Sequence, residues 1–275
     1  MGSISTMSTI STLLSTVIHE FQCIQISRSF GGDFKLYQAQ PAILQLRLSR
    51  WAEAAGLNKD FGGNDEGSGD AKKSQIPKLV LKGGPNQINH VEDLLCRAKA
   101  VLEKAKKDSL ESKPEDNDKK SASFESNGDD PGPPRFRRLD LKIQELVKKR
   151  RPSVATHVED IKWTVYNREQ WESFTTAILE IFDELETFIE PQSKLKELSL
   201  DDSKAIDDSL DTLLEVIGKC DPRLQEAAMK TLQGQEDSPK VSFSATYNYG
   251  QQVGVIRSEM RGMAFGNYNT INNTW

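Results

Sequence analysis

The chain has 275 residues, a formal net charge of −5, and 28 % charged against 36 % hydrophobic residues. The mildly acidic balance predicts no nucleic-acid partner by itself, and no apolar run of the roughly 18 residues that a membrane-crossing helix needs occurs. Cys23, Cys96 and Cys220 are far apart, which excludes a disulfide framework or a CxxC metal site and suits a reducing, intracellular compartment.

The start, MGSISTMSTISTLLSTVIHEF, has no basic segment leading into a continuous apolar one, so no secretory signal is expected. It does fit M-G-x-x-x-[ST], with Gly2 and Thr6 in place as for N-myristoylation. A plain Ser/Thr-rich leader, or a start at Met7, is the alternative. Ile10, Leu13, Leu14, Val17, Phe21 and Ile24 step by three and four and predict an amphipathic helix over residues 10–26. Gly31-Gly32 breaks the pattern, and Asp33 is a candidate N-cap. A second helix follows Phe34, Tyr37, Ile43, Leu44, Leu48 and Trp51. Pro41 lies inside it and predicts a kink or interruption near Gln40.

Residues 56–86 are rich in Gly, Asp, Asn, Lys and Pro and read as a flexible insertion. Ile88, Val91, Leu94, Leu95, Ala98, Val101 and Leu102 then keep the helical period. Residues 108–134, mostly Glu, Ser, Lys, Asp and Pro with Phe124 the one aromatic, read as a second flexible insertion that cannot offset its own ordering entropy. Helical spacing returns at Leu139, Ile143, Leu146 and Val147. Beyond Arg151-Pro152 the spacing of Val154, Val158, Ile161 and Val165 predicts another helix. The clearest stripe runs from Trp171 through Phe174, Ile178, Ile181, Phe182, Leu185, Phe188 and Ile189 to Pro191. Ile206, Leu210, Leu213, Leu214 and Ile217 predict a further helix with Asp201 or Ser203 as its cap. Asp221-Pro222 opens a last short one to about Gln233, with a hinge from Gly234 to Pro239. No strand alternation stands out before the tail. The fold class is therefore all-α, a multi-helix bundle over residues 1–234. Its core should hold Trp51, Leu94, Leu95, Trp163, Trp171, Phe174, Phe182 and Leu214.

Residues 235–275 differ in kind. Beyond Lys240 the only charges are Arg257, Glu259 and Arg261, and no Pro follows Pro239. Asn, Gln, Tyr, Ser, Thr and Gly dominate. Such a segment builds no core alone but gains hydrogen bonds and stacking in cross-β with copies of itself. It reads as a disordered, amyloid-prone tail.

Two blocks carry a family resemblance. One is SRSFGGDFKLYQAQPAILQLRLSRWAEAAGL, residues 27–57; the other is Lys162-Trp163-Thr164-Val165-Tyr166 followed by Ile181-Phe182-Asp183-Glu184-Leu185-Glu186. In this order they resemble the fungal HeLo domain of the HET-S/LopB family of prion-associated proteins, over roughly residues 10–230. The resemblance implies a helical bundle that dimerises and a tail that takes up amyloid when seeded by an upstream receptor carrying a similar motif. It further implies refolding of the bundle and insertion of its N-terminal segment into membrane, so that a cytoplasmic protein shifts to the membrane and kills the cell in heterokaryon incompatibility. On that reading Leu13, Leu14, Val17 and Phe21 form the membrane-active helix. Gln252-Val253-Gly254 resembles the centre of RIP-homotypic-like amyloid motifs, with Asn248 and Gly250 flanking it. The alternative is a non-toxic helical module that co-assembles with an active relative and inhibits it.

Other constellations are weaker. Arg135, Arg137, Arg138, Lys142, Lys148, Lys149, Arg150 and Arg151 form a basic stretch that reads as a solvated helix face, with lipid headgroups or nucleic acid as alternatives. His19, His90 and His157 sit on different predicted elements, and no metal site or cofactor is expected. The acidic residues fall in linkers or on polar faces with no sign of a buried pair, and no nucleophile motif is present, so no enzyme is expected.

Overall fold

The computed structural model describes residues 3–57, 85–112, 134–150 and 161–236. The chain divides into two compact units, Met1–Met229 and Lys230–Trp275. Of the second, only the last turns of one helix are described.

Helix α1, Ser3–Gln22, is followed by a three-residue strand β1, Ile24–Ile26, and a 3₁₀ turn, Arg28–Asp33. The predicted helix over 10–26 thus stops four residues early. Cys23 N–H donates to the Glu20 carbonyl at 3.1 Å and closes the last turn. Two β-branched isoleucines then extend and pair in parallel with β2, Trp163–Val165, in the register Ile24 to Trp163 and Ile26 to Val165. Val165, expected in a helix, is therefore in a strand. Ser27 N–H donates to the Val165 carbonyl and Trp163 N–H to that of Cys23, each at 2.9 Å.

Gly31 sits at φ 62° within the 3₁₀ turn, a conformation that costs other residues energy. Helix α2, Phe34–Ala55, runs unbroken through Pro41. Asp33 occupies the N-cap position but makes no capping bond with its side chain. It pairs instead with Arg168 at 3.0 Å. Every residue from Gln40 to Ala52 is buried, so α2 is enclosed on all sides. That enclosure outweighs the roughly 3 kcal/mol an interior proline costs. Gly56, left-handed at φ 81°, ends the helix by donating to the Ala52 and Glu53 carbonyls.

Around α2 lie α1, α4 (Pro134–Arg150), α6 (Ser193–Ile206) and α7 (Leu210–Val216). Helix α3 (Pro85–Glu111) packs on α1 and on α5 (Arg168–Thr187). Asn167 caps α5, its Oδ1 accepting from Glu169 N–H at 2.8 Å. Helix α8 runs Pro222–Glu236, through Gly234 where a hinge is predicted. Asp221 caps it, Oδ1 accepting from Leu224 N–H at 3.0 Å.

The single helix predicted through Ile206 to Ile217 is instead two. Asp201 and Ser203 lie inside α6, and the break comes at Asp207, at φ 36°, where a 3₁₀ turn Asp207–Ser209 leads into α7. The predicted core residues are buried except Leu214, which is half-buried while Leu213 points inward. One residue turns a helix face by about 100°; the break resets that phase.

Candidate functional site

The first feature is α1. Its only ionisable side chains are His19 and Glu20, both in the last turn. Ile10, Leu14, Val17, Ile18 and Phe21 form one buried face, each at most 2 % exposed. Leu13 is half-buried beside them. The Phe21 ring lies 6.3 Å from that of Phe174 and 6.0 Å from that of Phe182. Five such side chains contribute on the order of 10 kcal/mol before ordering costs. Polar attachments among the described residues include the following. Gln45 Nε2 donates to the Ile18 carbonyl at 2.9 Å, and Glu20 meets Lys106 at 3.8 Å. His19 Nε2 lies 3.7 Å from Cys23 Sγ. Ser11 and Ser15 are wholly buried, and their hydroxyls have no hydrogen-bond partner. Thr12 and Thr16, towards solvent, donate to carbonyls one turn back at 2.9 Å. Apolar packing rather than charge therefore holds α1.

The second feature is a buried ion-pair network on α2. Arg47 donates to Glu186 Oε1 at 2.7 Å, to Asp183 Oδ1 at 2.5 Å and to the Cys220 carbonyl at 3.2 Å. Arg50, 1 % exposed, donates to Asp202 Oδ2 at 2.8 Å and pairs with Asp221 at 2.9 Å. Arg150 of α4 reaches the other oxygen of Asp202 at 2.5 Å and also pairs with Glu53. Arg223 of α8 donates to Glu186 Oε2 at 2.9 Å. Asp202 and Asp221 are both fully buried. This overturns the expectation that no carboxylates pair in the interior: residues 19 apart in sequence meet on one guanidinium, which linear spacing does not reveal. Burial pulls the Arg50 pKa down, but Asp221 and Asp202 outweigh it and hold it above the ordinary value. Burial likewise opposes charge on Arg47, and Glu186 chiefly restores it. Burial pushes the Asp202 carboxyl up, against the pull of Arg50 and Arg150. Arg47 and Arg50 stand in the first resemblance block, and their spacing of three on a helix was the one available signal.

The basic stretch of α4 is largely consumed within the fold. Arg135 pairs with Glu215 at 3.1 Å, Arg138 with Asp208 at 3.0 Å, and Lys142 with Asp208. Arg150 is buried, while Arg137 and Lys148 stay on the surface. Arg151, like Gly2, His157, Asn248, Gly250, Gln252, Val253 and Gly254, lies outside the described residues. His90 meets Glu184 at 2.8 Å, on α3 and away from His19. Among the described residues no cluster of three metal ligands occurs, and no helix is long and apolar enough to cross a membrane.

Against known families, residues 3–236 match the model of HeLo, prion-inhibition and propagation. Heterokaryon incompatibility protein S and heterokaryon incompatibility protein s, both of Podospora anserina, are each 24 % identical over 222 residues, spanning 80 % of this chain and 70 % of theirs. The solved structure of the HET-s N-terminal domain superimposes with a TM-score of 0.64 at 20 % identity, covering 82 % of this chain and 98 % of that one. A doubly substituted form of that domain gives 0.61 at the same identity and coverage.

Proposed function

This chain belongs to the HeLo prion-inhibition and propagation family, and on that premise we propose that it is a non-catalytic effector of heterokaryon incompatibility and cell death. The tail beyond α8, about residues 238–275, stacks as cross-β when templated by an upstream receptor or another copy, through Gln252, Val253 and Gly254 with Asn248 and Gly250 beside them. Stacking raises the local concentration of helical domains by orders of magnitude. Crowded domains loosen, and α1 leaves its site for the membrane, carrying Leu13, Leu14, Val17 and Phe21 into the interface. The protein thereby moves from cytoplasm to membrane. A myristoyl group on Gly2 would add a marginal, reversible anchor.

The observation that carries this reading is the character of α1. It has no charge before its last turn, and apolar packing holds it. Leaving breaks the Glu20–Lys106 pair at the end of the helix, while the rest of the attachment is mainly apolar. The test is liposome leakage by full-length protein, with and without residues 1–26, after seeding with fibrils of a peptide of residues 238–275. Leakage that needs both the seed and residues 1–26 is expected. A peptide that stays soluble, instead of giving the roughly 4.7 Å cross-β spacing, removes the assembly step.

One observation favours a second reading. The buried face of α1 includes Ser11 and Ser15 as well as its apolar residues, and no described helix is apolar enough to cross a bilayer. A protein of this kind that forms fibrils yet never causes leakage acts as a non-toxic partner that co-assembles with an active relative and restrains it.

A further inference from the structure

We propose that the groove between α3 and the first turns of α5 binds a single zwitterionic amphiphile, one whose apolar chain carries a phosphate and, beyond it, a terminal ammonium. This site goes beyond the reading above and does not depend on it.

The two helices run antiparallel. Gln170, in the first turn of α5, donates to Ser112 at the end of α3 at 2.8 Å, while His90 near the start of α3 meets Glu184 near the end of α5. Between these ties lies a groove of about 480 Å³, within the roughly 300–1,000 Å³ typical of small-ligand sites. Ala105 of α3 and Ala177 of α5 both line it, and their short side chains leave space that a leucine would fill. The floor is aromatic: Trp171 is 1 % and Phe174 6 % exposed, with ring centroids 5.2 Å apart. Trp171 Nε1 donates to Gln40 Oε1 at 2.8 Å, which fixes the indole in place.

The antiparallel run gives the groove a polarity. Val101 and Ala177 line one end, Lys104 and Ser173 the middle, and Asp108 and Glu169 the other end. Lys104 and Asp108 are four residues apart on α3, as are two pairs that close on the same helix, Lys99–Glu103 at 3.5 Å and Lys107–Glu111 at 3.9 Å. Lys104 and Asp108 do not close, and among the described residues neither they nor Glu169 has an ion-pair partner. Along the groove the chemistry is thus apolar, then cationic, then acidic. A ligand that answers all three presents a chain, then an anion, then a cation. Its phosphate meets Lys104 and the Ser173 hydroxyl; its ammonium meets Asp108 and Glu169, with the aromatic floor adding attraction for a cation near the rings. A fatty anion leaves the two carboxylates unanswered, and an alkylammonium leaves Lys104 unanswered. Ion pairs at an exposed rim are weak, so the chain supplies most of the affinity and the charges select the headgroup.

Calorimetric titration of the full-length protein with dodecylphosphocholine, kept below its micelle-forming concentration, tests the site. Saturable binding of a single molecule per chain is expected. Phosphocholine, which lacks the chain, and dodecyltrimethylammonium, which lacks the phosphate, should each bind at least about tenfold more weakly. Ala177→Leu fills the groove and should weaken dodecylphosphocholine by about tenfold or more while leaving the urea midpoint in place. Ala105→Leu is the second variant should Ala177→Leu not fold, with the same result expected. Lys104→Glu should weaken dodecylphosphocholine by about threefold or more and strengthen dodecyltrimethylammonium, a reversal of preference that mere loosening of the fold does not produce. Binding that never saturates, that does not distinguish the two amphiphiles, or that is unchanged by Lys104→Glu and by the leucine variants overturns the proposal. Neither fibrils nor vesicles are present, so that outcome leaves the leakage reading standing, and a failure of leakage leaves the titration standing.

Discussion

Arg50 has no route to water: it is 1 % exposed and lies between two carboxylates that are fully buried. Such a pair adds little net stability over a well-packed apolar replacement, but breaking it from one side costs about 3–5 kcal/mol. Arg50→Met should therefore lower the urea unfolding free energy by about that amount. Adding Asp221→Asn, which removes the stranded charge and keeps the cap, should recover part of the loss; additive losses would mean the two groups are not coupled. The cysteines give a second test. Cys220 is buried, and burial first, then Asp221, pushes its thiol up to about 12 against the pull of Arg47. Cys96 is exposed, while Cys23 is buried. Iodoacetamide at mildly alkaline pH should label Cys96 in the native protein and reach Cys23 and Cys220 only on unfolding, as peptide mapping would show.

At the scale of elements, α1 carries an unrelieved cost. Each buried hydroxyl without a partner is worth roughly 1–3 kcal/mol in lost hydration. Ser15→Ala should stabilise α1 by up to about 1 kcal/mol, aided by helix propensity, and slow amide exchange across it. The junction of α4 with the 3₁₀ turn offers a pH dependence. The hydrogen bond from Lys142 leads in lowering the Asp208 pKa, slight burial opposes it, and Lys142 and Arg138 add their charges. A depressed folded pKa contributes stability above the ordinary carboxylate range that is lost as pH falls through the folded value. Wild-type urea midpoints should therefore drop more steeply below about pH 4 than those of Asp208→Asn. The elements differ in how legible they are for a physical reason. Helices α1, α3, α4 and α5 show apolar stripes because their partners are apolar. Helix α6 hides because much of its buried face is polar: Ser199, Asp202 and Ser203 lie between Leu195 and Ile206. The strands hide because three residues give period two nothing to repeat. Arg47 and Arg50 read as polar interruptions of α2, whereas the fold makes them its innermost charges.

For the whole molecule, the bundle and the family were legible in two blocks of sequence, and the family match over residues 3–236 ends where the composition changes. The residues proposed for templating stand out in the sequence only as a short Gln-Val-Gly string within an amide-rich tail, since cross-β depends on composition more than on a fixed pattern. A chain truncated after Glu236 keeps α8 whole. It should melt within about 2 °C of the full-length protein, because the core lies in the helical unit. It should also lose all response to fibril seeds.

The short ladder between β1 and β2 fixes the chain immediately after Gln22. If that ladder stays closed, α1 swings like an arm on a pin rather than detaching. Its 20 residues give a reach of about 30 Å while helical. Two arms from neighbouring molecules then touch only if their pins stand within roughly twice that distance. Solitary molecules in dilute solution seldom satisfy this condition, whereas bundles strung along a common fibre satisfy it continuously.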